Sequence, residues 1–342
     1  MIQGNVVVDF QTHVFPKKAV DLARKESGQI KVQTDSSGGL LLYDEATKER
    51  FNALPDNLFE ESESRVKKMV KAGIDMEVLS FPSPGPDIFG ERLALPVSRA
   101  INDEISGMIE KYPDHFTGLA SLPFSKPAEA ADELKRAVND LGLKGIMTYA
   151  NINGKFLDAP EFEPILKAAD SLGVPLYVHP TVPVSAKSVG AQYNLNLVFG
   201  WPFDVTLTVS RLALSGKLKK LPNLKIIVPH GGAMFPFFNM RLKVLFSSYA
   251  RDLAGLSSFE DPLSIFQNVY ADTAIYYTPA VECAISFFTP ERCVFASDYP
   301  YGDSGGMDFI ERSIKCIQEL KIHEEDRARI FGLNALKVLK VK

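Results

Sequence analysis

The chain has 342 residues, of which 46% are hydrophobic, and its 38 basic and 42 acidic residues leave a formal net charge of −4. This length is enough to bury a large core. The well-mixed charges exclude the strongly basic surface of a nucleic-acid-binding or anionic-membrane-binding protein. The three cysteines form no CxxC pair, which favours a reducing compartment. The N-terminus leads directly into a strand pattern, and we expect no targeting segment, no membrane-spanning run and a cytoplasmic location.

Short, nearly continuous apolar runs alternate with longer amphipathic ones, as in proteins whose parallel strands are buried on both faces. Eight runs are predicted as strands: Val6–Asp9, Met76–Ser80, Phe116–Leu122, Lys144–Thr148, Pro175–Val178, Leu224–Val228, Val269–Asp272 and Cys293–Ser297. Eight helical patterns accompany them: Ser64–Ala72, Pro96–Tyr112, Pro127–Leu141, Pro160–Leu172, Asp204–Leu218, Met234–Leu253, Pro279–Phe288 and Asp308–Leu320. These alternations predict an α/β fold, a (β/α)8 TIM-type barrel, with a doubly wound open sheet as the alternative.

Two segments interrupt this alternation. Gln29–Leu42 is typical of a β-hairpin that turns at Ser36–Gly39, within an insertion after strand 1 that covers residues 28–60. Thr181–Trp201 is a long Pro-, Gly- and Asn-containing stretch after the fifth strand. Both follow the C-terminal end of a strand, the face on which barrels build their active sites. Without repeats or a linker, residues 1–342 are expected to form a single domain.

Polar side chains follow four of the predicted strands at their C-terminal ends: His13, His179, His230 and Asp298. In a barrel these ends meet at one mouth. One such histidine alone is better explained as a buried, hydrogen-bonded residue. Three of five histidines at equivalent positions, with an Asp, favour a divalent metal ion held by nitrogen and oxygen ligands.

Four other polar residues invite weaker interpretations. His115 precedes the third strand, on the opposite face, and is predicted to be structural; His323 is predicted to lie at the surface near a helix N-terminus. Asp9 ends strand 1 and Asp272 ends strand 7. Either carboxylate can support a metal ligand or orient a histidine, and structural capping explains them equally well.

The chain resembles the amidohydrolase superfamily, in the branch that contains aminocarboxymuconate-semialdehyde decarboxylase and the hydroxybenzoate decarboxylases. The resemblance covers nearly the whole chain. It is carried by DFQTHVFP, AGIDMEVLS, LKGIMTYANINGKFLDAPEFEPIL, GVPLYVHP, LALSGKLKKLPNLKIIVPHGG, ADTA, CVFASDYPYG and GLNALKVL. It implies a (β/α)8 barrel that binds one zinc or manganese ion, zinc before manganese.

The resemblance also implies roles for particular residues. The family's metal ligands fall on Gln11, His13, His179 and Asp298, and its acid–base histidine falls on His230. Gln11 departs from the family's His or Glu. Its neutral amide oxygen is a weaker ligand, so we expect it to bind the ion weakly or through a water molecule.

The resemblance also implies that arginine side chains bind the carboxylate of the substrate. The family's carboxylate-binding Arg is best matched by Arg50, and a second Arg, from a neighbouring subunit, falls on Arg241. A homodimer is therefore expected, and the apolar run Met234–Met240 suits its interface. Aromatic side chains could wall a flat substrate: Phe15, Trp201, Phe295 and Tyr299. Core packing is the better explanation for at least Phe295.

The leading functional hypothesis is metal-dependent, non-oxidative decarboxylation of a small unsaturated or aromatic carboxylic acid. The ion would act as a Lewis acid, His230 would move the proton that replaces CO2, and an Arg would bind the carboxylate. Hydrolysis of a lactone, ester or amide, with Asp298 as the base, is the alternative. A catalytically inactive binding protein is the third, and no partner other than a small molecule and a second copy is expected.

Overall fold

The structure is a computed structural model, and it describes residues 2, 4–26, 30–34, 40–44, 50–54, 60–184, 193, 195–250 and 261–341. Eleven strands are present in these residues: β1 Val8–His13, β2 Ile30–Thr34, β3 Leu40–Asp44, β4 Arg50–Leu54, β5 Met76–Ser80, β6 Phe116–Ala120, β7 Gly145–Tyr149, β8 Leu176–His179, β9 Ile226–Val228, β10 Val269–Asp272 and β11 Cys293–Val294.

Eight of these strands form one parallel sheet in the order β1-β5-β6-β7-β8-β9-β10-β11. The two outer strands of this order approach each other. The amide of Phe10 donates to the carbonyl of Phe295 at 2.9 Å, and the amide of His13 donates to the carbonyl of Tyr299 at 2.8 Å. These bonds join β1 to the segment after β11, so the sheet closes into a (β/α)8 barrel, as the sequence predicted.

The insertion after β1 contains a separate three-stranded antiparallel sheet in the order β2-β3-β4. Thr34 pairs with Leu40 across β2 and β3. The residues between them include the predicted turn and lie outside the described residues. A third strand, β4, pairs with β3 and was not predicted, because Arg50–Leu54 has little strand-like alternation.

The helices are α1 Lys17–Glu26, α2 Ser62–Ala72, α3 Glu91–Lys111, α4 Pro127–Asn139, α5 Glu163–Leu172, α6 Trp201–Leu214, α7 Lys217–Lys220, α8 Pro229–Gly232, α9 Asn239–Leu245, α10 Thr278–Phe288, α11 Met307–Glu319, α12 Glu324–Ala328 and α13 Asn334–Leu339. The predicted end of α2 is confirmed, since Gly73 caps it at φ 89°.

Three predicted helices differ most from the observed ones. The helix predicted from Pro96 begins at Glu91, so the proline lies inside α3, where it costs one backbone hydrogen bond. The pattern Asp204–Leu218 divides, because Gly216 adopts φ 73° between α6 and α7. Within the pattern Met234–Leu253, α9 begins only at Asn239.

The core fills the barrel and the layer between the barrel and its helices. Inside, Phe10 stacks on Tyr177 with ring centroids 5.9 Å apart. Outside, α3 turns Val97, Ile101 and Ile105, all fully buried, toward the sheet. Each such side chain contributes about 2 kcal/mol of hydrophobic free energy.

One helical stretch among the described residues, Asn196–Leu214, is long and apolar enough to cross a membrane by length and composition. The expectation that no run reaches this length is therefore wrong for this stretch. Its Val205, Val209 and Leu212 are fully buried. The same apolar composition is needed by a helix that packs against a barrel.

Candidate metal centre

The four polar residues predicted at strand ends lie at the mouth of the barrel. His13 is the last residue of β1, His179 is the last residue of β8, and His230 follows β9 by two residues. Asp298 follows β11 by four residues, in the segment that closes the barrel onto β1. Parallel strands bring all four to one edge of the sheet.

Three of these side chains form a compact group. One ligand atom from each of His13, His179 and Asp298 lies within 4.8 Å of the others. The Nε2 atom of His13 is 3.1 Å from Oδ1 of Asp298. Both histidines are buried, and 15% of the Asp298 side chain is exposed. A small cation can therefore reach all three residues from the mouth.

The tautomer of His13 follows from Ser80, the last residue of β5. The Ser80 hydroxyl donates its one hydrogen to the carbonyl of Thr12 at 2.8 Å. Its oxygen also lies 3.0 Å from Nδ1 of His13 and can only accept there. Nδ1 of His13 is thus the protonated nitrogen, and Nε2 presents a lone pair to the centre.

His179 is oriented in the same way by its own backbone. Its Nδ1 donates to the carbonyl of Pro180 at 2.6 Å, which leaves Nε2 with a lone pair. Burial, and then the neighbouring His13, lower the pKa of His179 to about 3. A neutral imidazole is the form that binds a metal ion.

Two lone-pair atoms therefore face each other at 3.1 Å, Nε2 of His13 and Oδ1 of Asp298. Such a contact is repulsive unless a proton or a cation lies between the two atoms. Burial raises the pKa of Asp298, but the bonds and charges of His13 and His230 outweigh it and hold that pKa well below its usual range. When a cation takes the place of that proton, the ionised carboxylate and the Nε2 atoms of the two imidazoles form a donor set that suits a divalent metal ion.

Gln11 lies two residues before His13 and is fully buried. Its Nε2 is 3.5 Å from Nε2 of His230. Its Oε1 has no hydrogen-bond partner among the described residues. A buried amide oxygen without a partner costs about 1–3 kcal/mol. A cation, or a water molecule bound to it, would satisfy this oxygen.

His230 lies on a tight turn that holds it in an unusual backbone conformation. His230 has φ 55°, and Gly231 and Gly232 follow with φ 69° and 80°. A side chain at Gly232 would meet the Phe288 ring at 2.2 Å, so only glycine fits there. Left-handed backbone at a non-glycine residue is strained and recurs at functional sites.

The imidazole of His230 faces Asp298, with 3.8 Å between Nε2 and Oδ2. Burial lowers the pKa of His230, but the Asp298 carboxylate raises it more, so the pKa is raised overall. His230 thus favours the protonated form more than His179 does. A histidine of this kind can carry a proton at the mouth of the barrel.

The two carboxylates at strand ends have structural partners. Asp9 accepts from the amide and the hydroxyl of Ser297, at 2.9 Å and 2.5 Å, and so fixes the residue before Asp298. Asp272 accepts from the Tyr177 hydroxyl at 2.5 Å and the Gly231 amide at 3.4 Å. Asp272 therefore holds the turn that carries His230 through its backbone.

The remaining two histidines lie where the sequence placed them. Nδ1 of His115 bonds the carbonyl of Asp75 at 3.0 Å, away from the mouth. His323 is exposed and precedes α12.

Sequence reasoning missed Tyr301 and Tyr149. The Tyr301 ring lies 5.6 Å from the His13 ring, and the Tyr149 ring lies 6.4 Å from the His179 ring. Burial, and then the charge of Asp298, raise the pKa of Tyr301 above its usual range, so its hydroxyl keeps its proton. Two signals in the sequence pointed to such residues. Tyr301 belongs to the motif DYPYG, which begins at Asp298, and Ser80 is a polar residue at the end of a predicted strand.

The predicted substrate-binding residues have different positions. Arg50 begins β4, and its side chain lies outside the described part of the structure. Arg241 is exposed on α9. Trp201 opens α6 and is half-buried. Three of the aromatic residues considered as walls are buried and pack elsewhere: Phe15 on Phe81, Phe295 on Phe331, and Tyr299 beneath Arg65.

A groove of about 450 Å³ lies beside the metal centre. It is lined by the loops after β5, β7 and β8, including Ile88, Asn151, Thr181 and Val182. Tyr149 and His179 pair in register at the ends of β7 and β8, so the groove begins two residues beyond each. It is of a size for a small organic ligand.

The fold and the site together define a (β/α)8 barrel with a histidine–carboxylate group, suited to a metal ion, at the C-terminal ends of its strands. The chain belongs to the Amidohydrolase family, whose pattern matches residues 8–341. The resemblance stated from the sequence is thereby confirmed.

Two curated relatives and one solved structure illustrate the similarity. 2-Amino-3-carboxymuconate-6-semialdehyde decarboxylase of Dictyostelium discoideum is 28% identical over 97% of this chain and 91% of its own length. Gamma-resorcylate decarboxylase of Rhizobium sp. is 26% identical over 84% of this chain and 90% of its own length. The solved structure is dihydroxybenzoic acid decarboxylase of Polaromonas sp. JS666, with bound manganese and the inhibitor 2-nitroresorcinol. It superposes with a TM-score of 0.78 over 98% of this chain and 97% of its own, at 23% sequence identity.

Proposed function

We propose that this protein is a metal-dependent, non-oxidative decarboxylase of a small unsaturated or aromatic carboxylic acid. One observation carries the proposal: His13, His179 and Asp298 converge within 4.8 Å, with His230 3.8 Å from Asp298. The named relatives, which are decarboxylases of small carboxylic acids, support it.

His13, His179 and Asp298 would hold one divalent ion, with Gln11 at its edge. When bound, such an ion polarises a substrate oxygen as a Lewis acid. Imidazole and carboxylate donors suit zinc first, and manganese is the alternative. The manganese reported in the Polaromonas decarboxylase supports the second choice.

The chain's own residues account for the proton that the reaction consumes. Decarboxylation breaks the bond between the carboxylate and the carbon that bears it, releases CO2 and leaves the electron pair on that carbon. His230, whose pKa is raised by Asp298, donates a proton to this carbon through Nε2 and is reprotonated from solvent. The Asp298 carboxylate keeps the imidazolium in place.

Binding of the carboxylate is proposed to use arginine and aromatic residues. Arg50, from the insertion, would bind it by a bidentate fork, and Arg241 would reach the site of a neighbouring subunit. Trp201 would cover one face of the substrate. Tyr301, whose ring lies 5.6 Å from the His13 ring, would border the substrate beside that ligand.

The exposed position of Arg241 supports a homodimer as part of the proposal. Three exposed apolar side chains lie on or next to its helix: Phe237 at 82%, Met240 at 66% and Val244 at 57% exposure. A second copy of the chain would bury this patch. We propose a cytoplasmic homodimer that acts on a small molecule and binds neither nucleic acid nor membrane.

The decisive experiment is CO2 release from a panel of small acids by protein loaded with Zn²⁺ or Mn²⁺. The panel should include 2,6-dihydroxybenzoate, 6-methylsalicylate and 5-carboxyvanillate. Release of CO2 from at least one unsaturated or aromatic acid, lost in His230→Asn, supports the proposal. Lack of release from every such acid by fully loaded protein would overturn it.

Hydrolysis of a lactone, ester or amide is the second candidate. It is favoured by one observation: Asp298 is ionised and partly exposed beside His230, as a base toward water must be. Ring opening of a lactone without CO2 release would identify it. The third candidate, a binding protein without catalysis, would be identified by the lack of metal in the native protein.

A further inference from the structure

Arg65 of α2 is the largest fully buried side chain among the described residues, with 1% exposure. Its Nε donates to Oε2 of Glu77, in β5, at 2.5 Å. Burial raises the pKa of Glu77, and the charge and hydrogen bond of Arg65 oppose that rise. Burying such a pair offers little net stability compared with apolar packing. A contribution to stability therefore does not account for burial of this pair.

Two other contacts reach the segments that carry metal ligands. NH1 of Arg65 donates to the carbonyl of His13 at 2.8 Å. The guanidinium carbon lies 4.8 Å from the centre of the Tyr299 ring, and Tyr299 follows Asp298. One planar group thus touches the backbone of one ligand and the neighbour of another.

The Tyr299 side chain is held at its far end as well. Its hydroxyl donates to Oε2 of Glu60 at 2.8 Å, and Glu60 also pairs with Lys68 at 2.8 Å. NH2 of Arg65 has no hydrogen-bond partner among the described residues. The guanidinium therefore keeps its contacts to His13 and Tyr299, while its NH2 bonds nothing in the described part of the chain.

We propose that Arg65 is a positioning residue of the metal centre. Its rigid guanidinium holds the end of β1 against Tyr299, and so keeps His13 and Asp298 at the separation that a metal ion requires. The inference rests on the proposed metal site and adds a residue, far along the chain from every ligand, that sets its geometry. Lysine cannot replace Arg65, because a single ammonium group cannot bond the Glu77 carboxylate and the His13 carbonyl and also lie over the Tyr299 ring.

The test compares Arg65→Lys with a matched buried arginine. Arg327 is 7% exposed and donates to backbone carbonyls of Ile317, Gln318 and Leu320, in a part of the fold without metal ligands. Arg65→Lys should raise the Kd for Mn²⁺ at least about 10-fold, the usual effect of losing support for a ligand. Arg327→Lys should lower the temperature of unfolding but leave this Kd within about twofold.

Spectroscopy separates positioning from general destabilisation. Co²⁺ bound to Arg65→Lys should show shifted visible absorption bands, because the ligand geometry has changed, whereas Arg327→Lys should reproduce the wild-type bands. Tyr299→Leu removes the ring without touching the Arg65–Glu77 pair and should also raise the Kd. If Arg65→Lys does not fold, the Kd of Tyr299→Leu tests the positioning role in its place.

The outcomes distinguish this inference from the proposed function. Wild-type Kd values and Co²⁺ bands in both Arg65→Lys and Tyr299→Leu would overturn the positioning role alone. A wild-type protein that binds neither Mn²⁺ nor Co²⁺ would overturn both. Metal binding that depends on Arg65, without CO2 release from any acid, would support this inference and count against decarboxylation.

Discussion

His13 and Asp298 are separated by 285 positions in sequence, yet Nε2 of the first lies 3.1 Å from Oδ1 of the second. Closure of the barrel brings them together, since the Asp298 amide donates to the Gln11 carbonyl at 3.0 Å. The metal centre thus spans the seam between the first and the last strand. A cation bound there should also stabilise the closed barrel, because ligands that bind only the folded state raise its stability.

The first prediction concerns the metal ligands. His179→Ala should lose most of the metal, since it removes one of three donors and leaves a buried gap in the centre. Elemental analysis of protein purified without chelator should show about one equivalent of zinc or manganese in the wild type. His323→Ala, which changes an exposed histidine, is the control. Full metal content in His179→Ala would remove His179 from the ligand set.

The second prediction concerns His230. His230→Asn should keep the metal, because the three proposed ligands remain, but lower turnover about 100-fold or more through the loss of acid–base help. Metal content and CO2 release should be measured on the same preparation. A variant that releases CO2 at the wild-type rate contradicts the assignment. Loss of metal would show instead that His230 is a ligand.

The third prediction concerns the apolar patch near Arg241. Phe237→Glu should convert the proposed dimer into a monomer, because a carboxylate cannot be buried unpaired in an apolar interface. Light scattering at micromolar concentration measures the change. Val70→Glu is the matched control, since Val70 is 51% exposed on α2, outside the patch. A wild-type protein that is monomeric at this concentration excludes the dimer.

The sequence predicted the barrel well, because buried parallel strands produce short apolar runs that the order of hydrophobic residues along the chain reveals. Met76–Ser80 and Val269–Asp272 have the predicted bounds. The end of the first strand was predicted wrongly at Asp9. The strand β1 continues to His13, because closure of the barrel pairs its polar end with the segment after β11. Local pattern carries no information on such long-range pairing.

In the candidate site, too, local pattern predicted some residues, while long-range contacts decide the role of others. His13, His179, His230 and Asp298 were predictable because strand ends converge in any barrel. Asp272 was considered from the sequence as a residue that orients a histidine, and it accepts from the Gly231 amide. Ser80 and Arg65 were not assigned a role, and they act through hydrogen bonds to Nδ1 and to the carbonyl of His13. These contacts depend on side-chain direction in the folded barrel, which no spacing rule specifies.

The fourth prediction is a pH dependence of stability. Asp87 is 9% exposed and accepts from the amides of Phe124 and Ser125, and burial raises its pKa. Between the ordinary and the raised pKa, the folded state binds more protons than the unfolded state, so this group's contribution falls as pH rises. Asp87→Asn removes that fall. Compared with the wild type, the loss in free energy of unfolding of Asp87→Asn should be largest below the ordinary pKa of 3.8 and should narrow as pH rises through the raised pKa.

Urea unfolding of both forms at several pH values measures this difference. The control is Asp132→Asn, which changes an exposed carboxylate on α4 and should give the wild-type pH profile. A difference between Asp87→Asn and wild type that stays constant from acid to neutral pH would show that Asp87 does not titrate differently in the folded state.

The last prediction concerns Gln11, where this chain departs from the family. Gln11 and His13 are two positions apart at a strand end, and both are buried at the mouth, while the Thr12 hydroxyl bonds the carbonyl of Val78 at 3.0 Å. The Gln11 oxygen has no partner among the described residues. A neutral amide oxygen attracts a cation less than a carboxylate or an imidazole does.

Gln11→His should therefore tighten Mn²⁺ binding, because it adds the imidazole that the family uses at this position. Gln11→Ala should weaken binding only modestly, whereas His13→Ala, which removes a principal ligand, should cost far more. Titration of the wild type and the three variants with Mn²⁺ compares them directly. Equal affinities for wild type, Gln11→His and Gln11→Ala would show that Gln11 merely packs beside His230, from which its amide nitrogen is 3.5 Å away, and takes no part in holding the ion.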